Sequence, residues 1–382
     1  MNNHTRPRSR KFIEFYIQHV WSIHRLFVGH ILTKRCKHCA ASATFAKLNE
    51  DGICIFCKEN KVERPSIITP QTQTKMEDGL VQIFNESTGK GKWKYDALIF
   101  FSGGKDSTYL LHRLREDHPN LRLLAITVDN GFMSAVALQN IKEVTSKIGV
   151  DHVIVRPNVR MYEKLFNYAF THLGKNGAAN CVDVLDGELR FDIGRHYAAA
   201  FEIPLVMIGF SREQVETYMG ALVYESDKDT ERTRRTQLGP YAISELPLSP
   251  EERELVWDGT RYADEKIARI IYPLVVWHHD EEFLKSEVTR LGLISKQNVS
   301  PLVTNHELIP LMALVDVAHL GYSSWEPEFA RMIREGKASR IYWRNLFELI
   351  EYSAKTGSFL AKTSDELLAR LGLSRKDVGL PE

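Results

Sequence analysis

The run Ala97-Leu98-Ile99-Phe100-Phe101 is apolar at every position and leads directly into Ser102-Gly103-Gly104-Lys105-Asp106-Ser107. A strand apolar on both sides belongs between two covering layers, as in a parallel sheet. The next residues, Thr108-Tyr109-Leu110-Leu111-His112-Arg113-Leu114, carry a helical pattern. Strand, glycine turn and helix start together make an anion site. The paired glycines let backbone N–H groups approach a phosphate, and the helix N-terminus adds positive potential. Lys105 can neutralise phosphate charge, Ser102 and Ser107 can donate hydrogen bonds, and Asp106 can hold Mg2+ against phosphate oxygens.

Further strands are predicted at Leu123–Val128, which ends in Asp129-Asn130-Gly131, at Asp151–Val155 and at Pro204–Gly209, with helical patterns between them. The expected fold class is α/β, a parallel doubly wound sheet of at least four strands with helices on both faces. Ligands of such sheets sit beyond the carboxyl ends of the strands, which places Asp129 near the loop.

Ser102–Ser107 resembles the signature of the PP-loop, or N-type, ATP pyrophosphatases. The resemblance spans residues 95–295, because Ile270-Ile271-Tyr272-Pro273-Leu274 followed by Lys285-Ser286-Glu287-Val288 is similar to a later segment of that family. It implies a sheet of the adenine nucleotide alpha hydrolase type, with ATP and Mg2+ bound. It also implies that a carbonyl oxygen is adenylated, pyrophosphate leaves, and a nitrogen or sulfur nucleophile displaces AMP. Lys105, Asp106 and Ser107 then carry catalysis, while Ser102, Gly103, Gly104, Asp129 and Gly209 complete the nucleotide site.

Four of the five cysteines form Cys36-x2-Cys39 and Cys54-x2-Cys57, and Asn49-Glu50-Asp51-Gly52 supplies a turn between the pairs. Each short spacing points two thiolates at one spot, so Cys36, Cys39, Cys54 and Cys57 are predicted to hold Zn2+ in a closed tetrahedral site that staples a small module. Two disulfides are the alternative, disfavoured in a reducing compartment, and an iron centre is another. The basic-then-apolar N-terminus lacks a small-residue cleavage site, so no signal peptide is expected and the assigned location is cytoplasmic.

The remaining cysteine, Cys181, bears on the nucleophile. Sulfur-inserting members of the family generally carry sulfur on paired cysteines or a three-cysteine iron–sulfur cluster, and a lone thiol would need an external sulfide donor. A second resemblance favours nitrogen. A four-cysteine module, then Ser102–Ser107, then Ile333-Arg334-Glu335-Gly336-Lys337-Ala338-Ser339-Arg340 is similar to the N-acetyl sugar amidotransferases of bacterial surface-glycan (lipopolysaccharide) pathways. It implies a small-molecule sugar acceptor and ammonia. With no glutaminase motif in the chain, ammonia would come from a separate glutaminase subunit. The alternative is a sulfurtransferase acting on tRNA or a small molecule.

Expected organisation is an amphipathic helix in residues 1–34, the zinc module at 35–60, a connector at 61–94, the nucleotide domain at 95–295 and a helical region at 296–382. The first helix is predicted from Phe12, Tyr16, Val20, Ile23, Phe27 and Ile31, with a homodimer contact among its roles. The formal charge of +1 gives no global attraction to nucleic acid, and no apolar run is long enough for a membrane span. Glu231-Arg232-Thr233-Arg234-Arg235 is expected as a solvated face or as a lid whose Arg232, Arg234 or Arg235 clamps an anionic acceptor. Gly89-Lys90-Gly91-Lys92 lacks the residue pattern of a Walker loop, and His278-His279-Asp280-Glu281-Glu282 is read as a polar helix start.

Overall fold

The computed structural model describes residues 13–59, 68–232, 237–299 and 306–382. Strands β1 (Ala97–Phe100), β2 (Leu123–Val128), β3 (Asp151–Val155) and β4 (Leu205–Met207) form a parallel sheet with a fifth strand at Arg269–Ile271. Its order is β3-β2-β1-β4 and then the fifth strand, with Ala97 opposite Leu123 on one side and Leu205 on the other. Order therefore reverses at β1, and the crevice beyond the carboxyl ends of β1 and β4 is the switch point where such sheets bind ligands.

Successive side chains of β1 enter different cores, as strand pleating requires. Ala97, Ile99 and Phe101 pack with Leu110, Leu111 and Leu114 of helix α2 (Lys105–Asp117) and Ile141 and Val144 of α3 (Ala135–Ile148). Leu98 packs on the other face with Val206 and with Ala198 of α4 (Val184–Ala200). Both faces of β1 are covered, so that strand is apolar throughout, whereas the edge strand β3 carries Asp151 and His152 and exposes Ile154.

Part of the expected connector belongs to this covering layer. Helix α1 (Pro70–Ser87) starts with Thr69 capping the Thr72 N–H and buries Leu80, Ile83 and Phe84 in the same core as Ile99, Leu110 and Leu274. Each of those side chains contributes about 1.5–3 kcal/mol on burial. The polar composition of residues 61–94 hides this helix because its other face is solvated. Residues 60–67 of the connector lie outside the described residues.

The N-terminal stripe is corrected. A π-helical turn, Tyr16–Val20, runs into an α-helix, Trp21–Val28, and the buried side chains are Ile17, Trp21 and Val28. Ile23 and Phe27 of the predicted stripe are exposed, and Phe12 lies outside the described residues. The wider π turn changes the phase of the helix, and Trp21 anchors the new one: its indole N–H donates to Glu348 Oε2 at 3.0 Å.

The C-terminal region is helical, with α5 (Ile309–Leu320), α6 (Glu326–Arg334), α7 (Arg340–Thr356) and α8 (Leu360–Arg370). These helices share a core with the N-terminal turn and with the helix Val159–Thr171. Among the described residues no helix is long and apolar enough to cross a membrane.

Candidate nucleotide site and metal centre

Gly104 is the N-cap of α2, and because it has no capping side chain the first N–H groups of the helix are left for a ligand. Gly103 has φ 74°, and a Cβ there would lie 2.6 Å from the Ala137 carbonyl oxygen and 2.8 Å from Ile141 Cγ1, so only glycine fits. Asn140 Nδ2 donates to Gly103 O at 3.0 Å and holds the turn from α3. Inside the loop, Ser102 Oγ and Ser107 Oγ are 3.2 Å apart, and Gly104 N donates to Ser102 Oγ at 3.4 Å. A Cβ on Gly209, past the end of β4, would sit 3.4 Å from Ser107 Cα, so the second strand end closes on the loop.

Lys105 is largely buried. Its Nζ lies 2.8 Å from Asp106 Oδ2 and 4.0 Å from Glu281 Oε1. Burial alone would lower the ammonium pKa, but the Asp106 and Glu281 carboxylates, with Glu328 behind them, more than offset it and raise the pKa. Lys105 therefore stays a cation. Glu328 itself is pushed up by burial, partly relieved by Arg331, and raised further by Glu281 and Glu213. The loop thus holds a cation hemmed by carboxylates, an arrangement that a phosphate chain can enter by displacing Asp106 from Lys105 and leaving that carboxylate for Mg2+.

The loop opens into a cavity of about 2070 Å³ whose walls include Gly209, Asp183, Arg190, His278 and Arg334. Burial pushes the Asp183 carboxyl up to about 6, against the pull of Arg190. His279 is hydrogen-bonded to Tyr109 OH at 2.9 Å, and Asp280 caps the helix Glu281–Arg290 by accepting from Phe283 N–H, which is the polar helix start expected. Seven of the predicted residues, then, meet here: Ser102, Gly103, Gly104, Lys105, Asp106, Ser107 and Gly209.

Asp129 is placed differently. It is buried at the end of β2, paired with Arg156 and accepting from Gly131 N–H at 2.9 Å, and is not among the residues lining the cavity. In this structure its carboxylate organises the β2 turn. Neighbouring Asn130 donates to Asp186 Oδ1 at 2.9 Å. The Walker-like segment is also structural: Gly91 N–H donates to Asp96, which Arg122 clamps at 2.6 Å.

The sulfur atoms of Cys36, Cys39, Cys54 and Cys57 lie within 4.8 Å of one another, the one such cluster found among the described residues. The contacts of 3.8 Å between Cys36 and Cys57 and 3.5 Å between Cys39 and Cys54 fit one tetrahedral ion, for which bonds of about 2.3 Å set the sulfurs roughly 3.8 Å apart. The His38 and Cys54 amides donate to Cys36 Sγ at 3.4 and 3.3 Å, as a thiolate ligand requires. The module docks on α6 and α7: Arg35 pairs with Glu326 at 2.8 Å and Glu351 at 3.1 Å. Cys181 stands apart, fully buried in the helical core, its thiol raised by burial and pointing at Leu173 O at 3.8 Å.

No family model matches the chain. Over 150 residues it is 31% identical to an uncharacterized protein of Methanocaldococcus jannaschii, covering 38% of this chain and 49% of that one. The chain thus spans about half the length of that relative. Among solved structures it is similar to the U34-tRNA thiolase NcsA from Methanococcus maripaludis with its [4Fe-4S] cluster, at 16% identity and TM-score 0.32, covering 92% of this chain and 99% of that one. It is similar to the NH3-dependent NAD synthetase from Campylobacter jejuni, at 11% identity and TM-score 0.33, over 74% and 95% of the two chains. It is similar also to the NMN synthetase from Francisella tularensis, at 14% identity and TM-score 0.37, over 79% and 97%. Likenesses this distant transfer no substrate.

Of the charged run at 231–235, Glu231 is buried and accepts from Arg195 Nε at 2.7 Å, which anchors the segment. Arg232 pairs with Asp264 at 2.5 Å on the surface and does not line the cavity, which is the solvated-face arrangement. Arg234 and Arg235 lie outside the described residues. Asp183, Arg190 and Glu328 escaped the sequence analysis because charged residues on helices usually face water. A weak signal existed in Asp183 and Arg190, seven residues apart and hence on one helical face.

Proposed function

We propose that the chain is a PP-loop ATP pyrophosphatase that adenylates a carbonyl oxygen of a small acceptor and transfers ammonia to the activated carbon. One observation carries the proposal: Ser102–Ser107 opens, at the switch point of a parallel sheet, into the same cavity as the titratable groups Asp183 and His278. The acceptor oxygen attacks the α-phosphorus, and the bond to the β-phosphate oxygen breaks to release pyrophosphate. Ammonia then attacks the activated carbon, AMP leaves with the former carbonyl oxygen, and the nitrogen gives up a proton, for which Asp183 is the buried acceptor at hand. Lys105 and the N–H groups of α2 balance phosphate charge, while Mg2+ held by Asp106 and the phosphates would neutralise the leaving pyrophosphate.

Nitrogen is favoured over sulfur because of where the thiols are. Cys181 is buried with a raised thiol pKa, whereas a sulfur carrier needs an accessible thiolate. The other four cysteines are committed to one metal, assigned here to structural zinc because the close sulfur spacing suits a single ion. A separate glutaminase is the proposed ammonia source. The test is pyrophosphate release with ammonium or sulfide supplied, in the wild type and in Cys181→Ser. Ammonium-dependent turnover that survives the substitution supports the proposal, and sulfide-dependent turnover abolished by it supports a sulfurtransferase instead.

A further inference from the structure

Arg334 ends α6 with its guanidinium against the cavity, and among the described residues no carboxylate or hydrogen-bond acceptor meets it. Its Nε and Nη1 are buried without hydrogen-bond partners among the described residues, and its guanidinium lies over the Phe56 ring of the cysteine module, 5.3 Å from the centroid. Leaving a buried guanidinium unpaired is costly, and a cation–π contact returns only part of that cost. Neighbouring cations have carboxylate partners: Lys337 lies 2.9 Å from Glu335, Arg35 2.8 Å from Glu326 and 3.1 Å from Glu351, and Arg331 3.8 Å from Glu335.

Lys105, Glu328 and Arg334 all line the one cavity. Along α6 the step from Glu328 to Arg334 is six residues, a rise of roughly 9 Å. Aromatic rings flank Arg334: Phe56 beneath it and Phe45 stacked on Phe56, with centroids 5.8 Å apart, and both rings line the cavity. An unpaired fork beside flat rings describes one kind of ligand, a small ring-bearing molecule with an anionic group.

We infer that Arg334, seated on Phe56, is the anchor for a phosphate or carboxylate group of the acceptor, and that the cysteine module builds a wall of the acceptor subsite. The guanidinium fork takes either anion in a bidentate pair. The inference deepens the proposed function, since it assigns the acceptor end of the same cavity. A half-buried cation inside a cavity suits a small molecule better than an RNA backbone, which is met by exposed basic surface.

The experiment is calorimetric titration of the full chain with its loop filled by α,β-methylene-ATP, using UDP as the phosphate probe and glucuronate as the carboxylate probe. At least one probe is expected to bind, and Arg334→Ala should weaken it by roughly tenfold or more, with Arg334→Lys losing less. Affinity for the ATP analogue, which also reports folding, should stay within about twofold. Binding of neither probe, or binding unchanged in both variants, overturns the inference. So does loss of analogue affinity in Arg334→Lys with an intact far-UV spectrum, which would place Arg334 in the nucleotide's own site. Loss of affinity for bulk tRNA in place of the small anions overturns it too. ATP cleavage to ADP would sink the proposed function and leave this binding result standing.

Discussion

Lys105 of the phosphate loop and Glu281 at the start of a late helix approach to 4.0 Å, joining the end of β1 to a helix that begins beyond the fifth strand. The contact holds the ammonium over the loop before nucleotide arrives. Lys105→Ala should weaken ATP binding by roughly tenfold to a hundredfold, the range for a lost charge-assisted hydrogen bond. Glu281→Gln should change it far less, because Asp106 still holds the ammonium. Equilibrium titration with α,β-methylene-ATP checks both, and equal losses would show that Glu281 acts on the nucleotide directly.

Gly103 and Gly89 have the same left-handed φ of 74°, yet a Cβ meets Ala137 O at 2.6 Å in the first and nothing within 4 Å in the second. Gly89→Ala should cost about 1 kcal/mol, the backbone term alone. Gly103→Ala should cost about 2–4 kcal/mol and disturb the loop. Urea denaturation of the two variants separates strain from collision.

These two sites also show what could be read beforehand. The loop was legible because an all-apolar strand, a glycine pair and a helix start follow one another in sequence, so local chemistry fixed the geometry. The cysteine cluster was legible for the same reason. What could not be read depended on contacts between distant segments: Trp21 turns the first helix toward Glu348, and Arg156 pairs with Asp129. Arg334 was noticed only as part of a resembling segment, and its lack of a partner is a property of the packed structure.

Asp183 gives a pH test. Burial raises its carboxyl from 3.8 to about 6. Because the folded pKa lies above the unfolded one, the group favours folding fully below pH 3.8, and that contribution is lost as pH rises through about 6. Asp183→Asn should therefore stabilise the protein by about 1–2 kcal/mol above neutrality and make little difference near pH 3.5. Thermal melts across that range check the sign, and stabilisation confined to acid pH would contradict it.

The four-cysteine site, proposed to hold zinc, makes a compositional prediction. Metal analysis should find about one zinc per chain and no stoichiometric iron. Cys54→Ser should lower Tm by several degrees or more, since the module ties residues 35–57 to α6 and α7, and should leave binding of α,β-methylene-ATP in place, since none of the four cysteines lines the cavity. Iron in place of zinc would overturn the assignment.

The central claim is that the loop at residues 102–107 directs cleavage between the α- and β-phosphates. The direct measurement is 31P NMR of ATP and Mg2+ incubated with the protein, ammonium and a set of carbonyl-bearing sugars. The account predicts AMP and pyrophosphate appearing together and vanishing in Lys105→Ala; ADP and inorganic phosphate as products would contradict it.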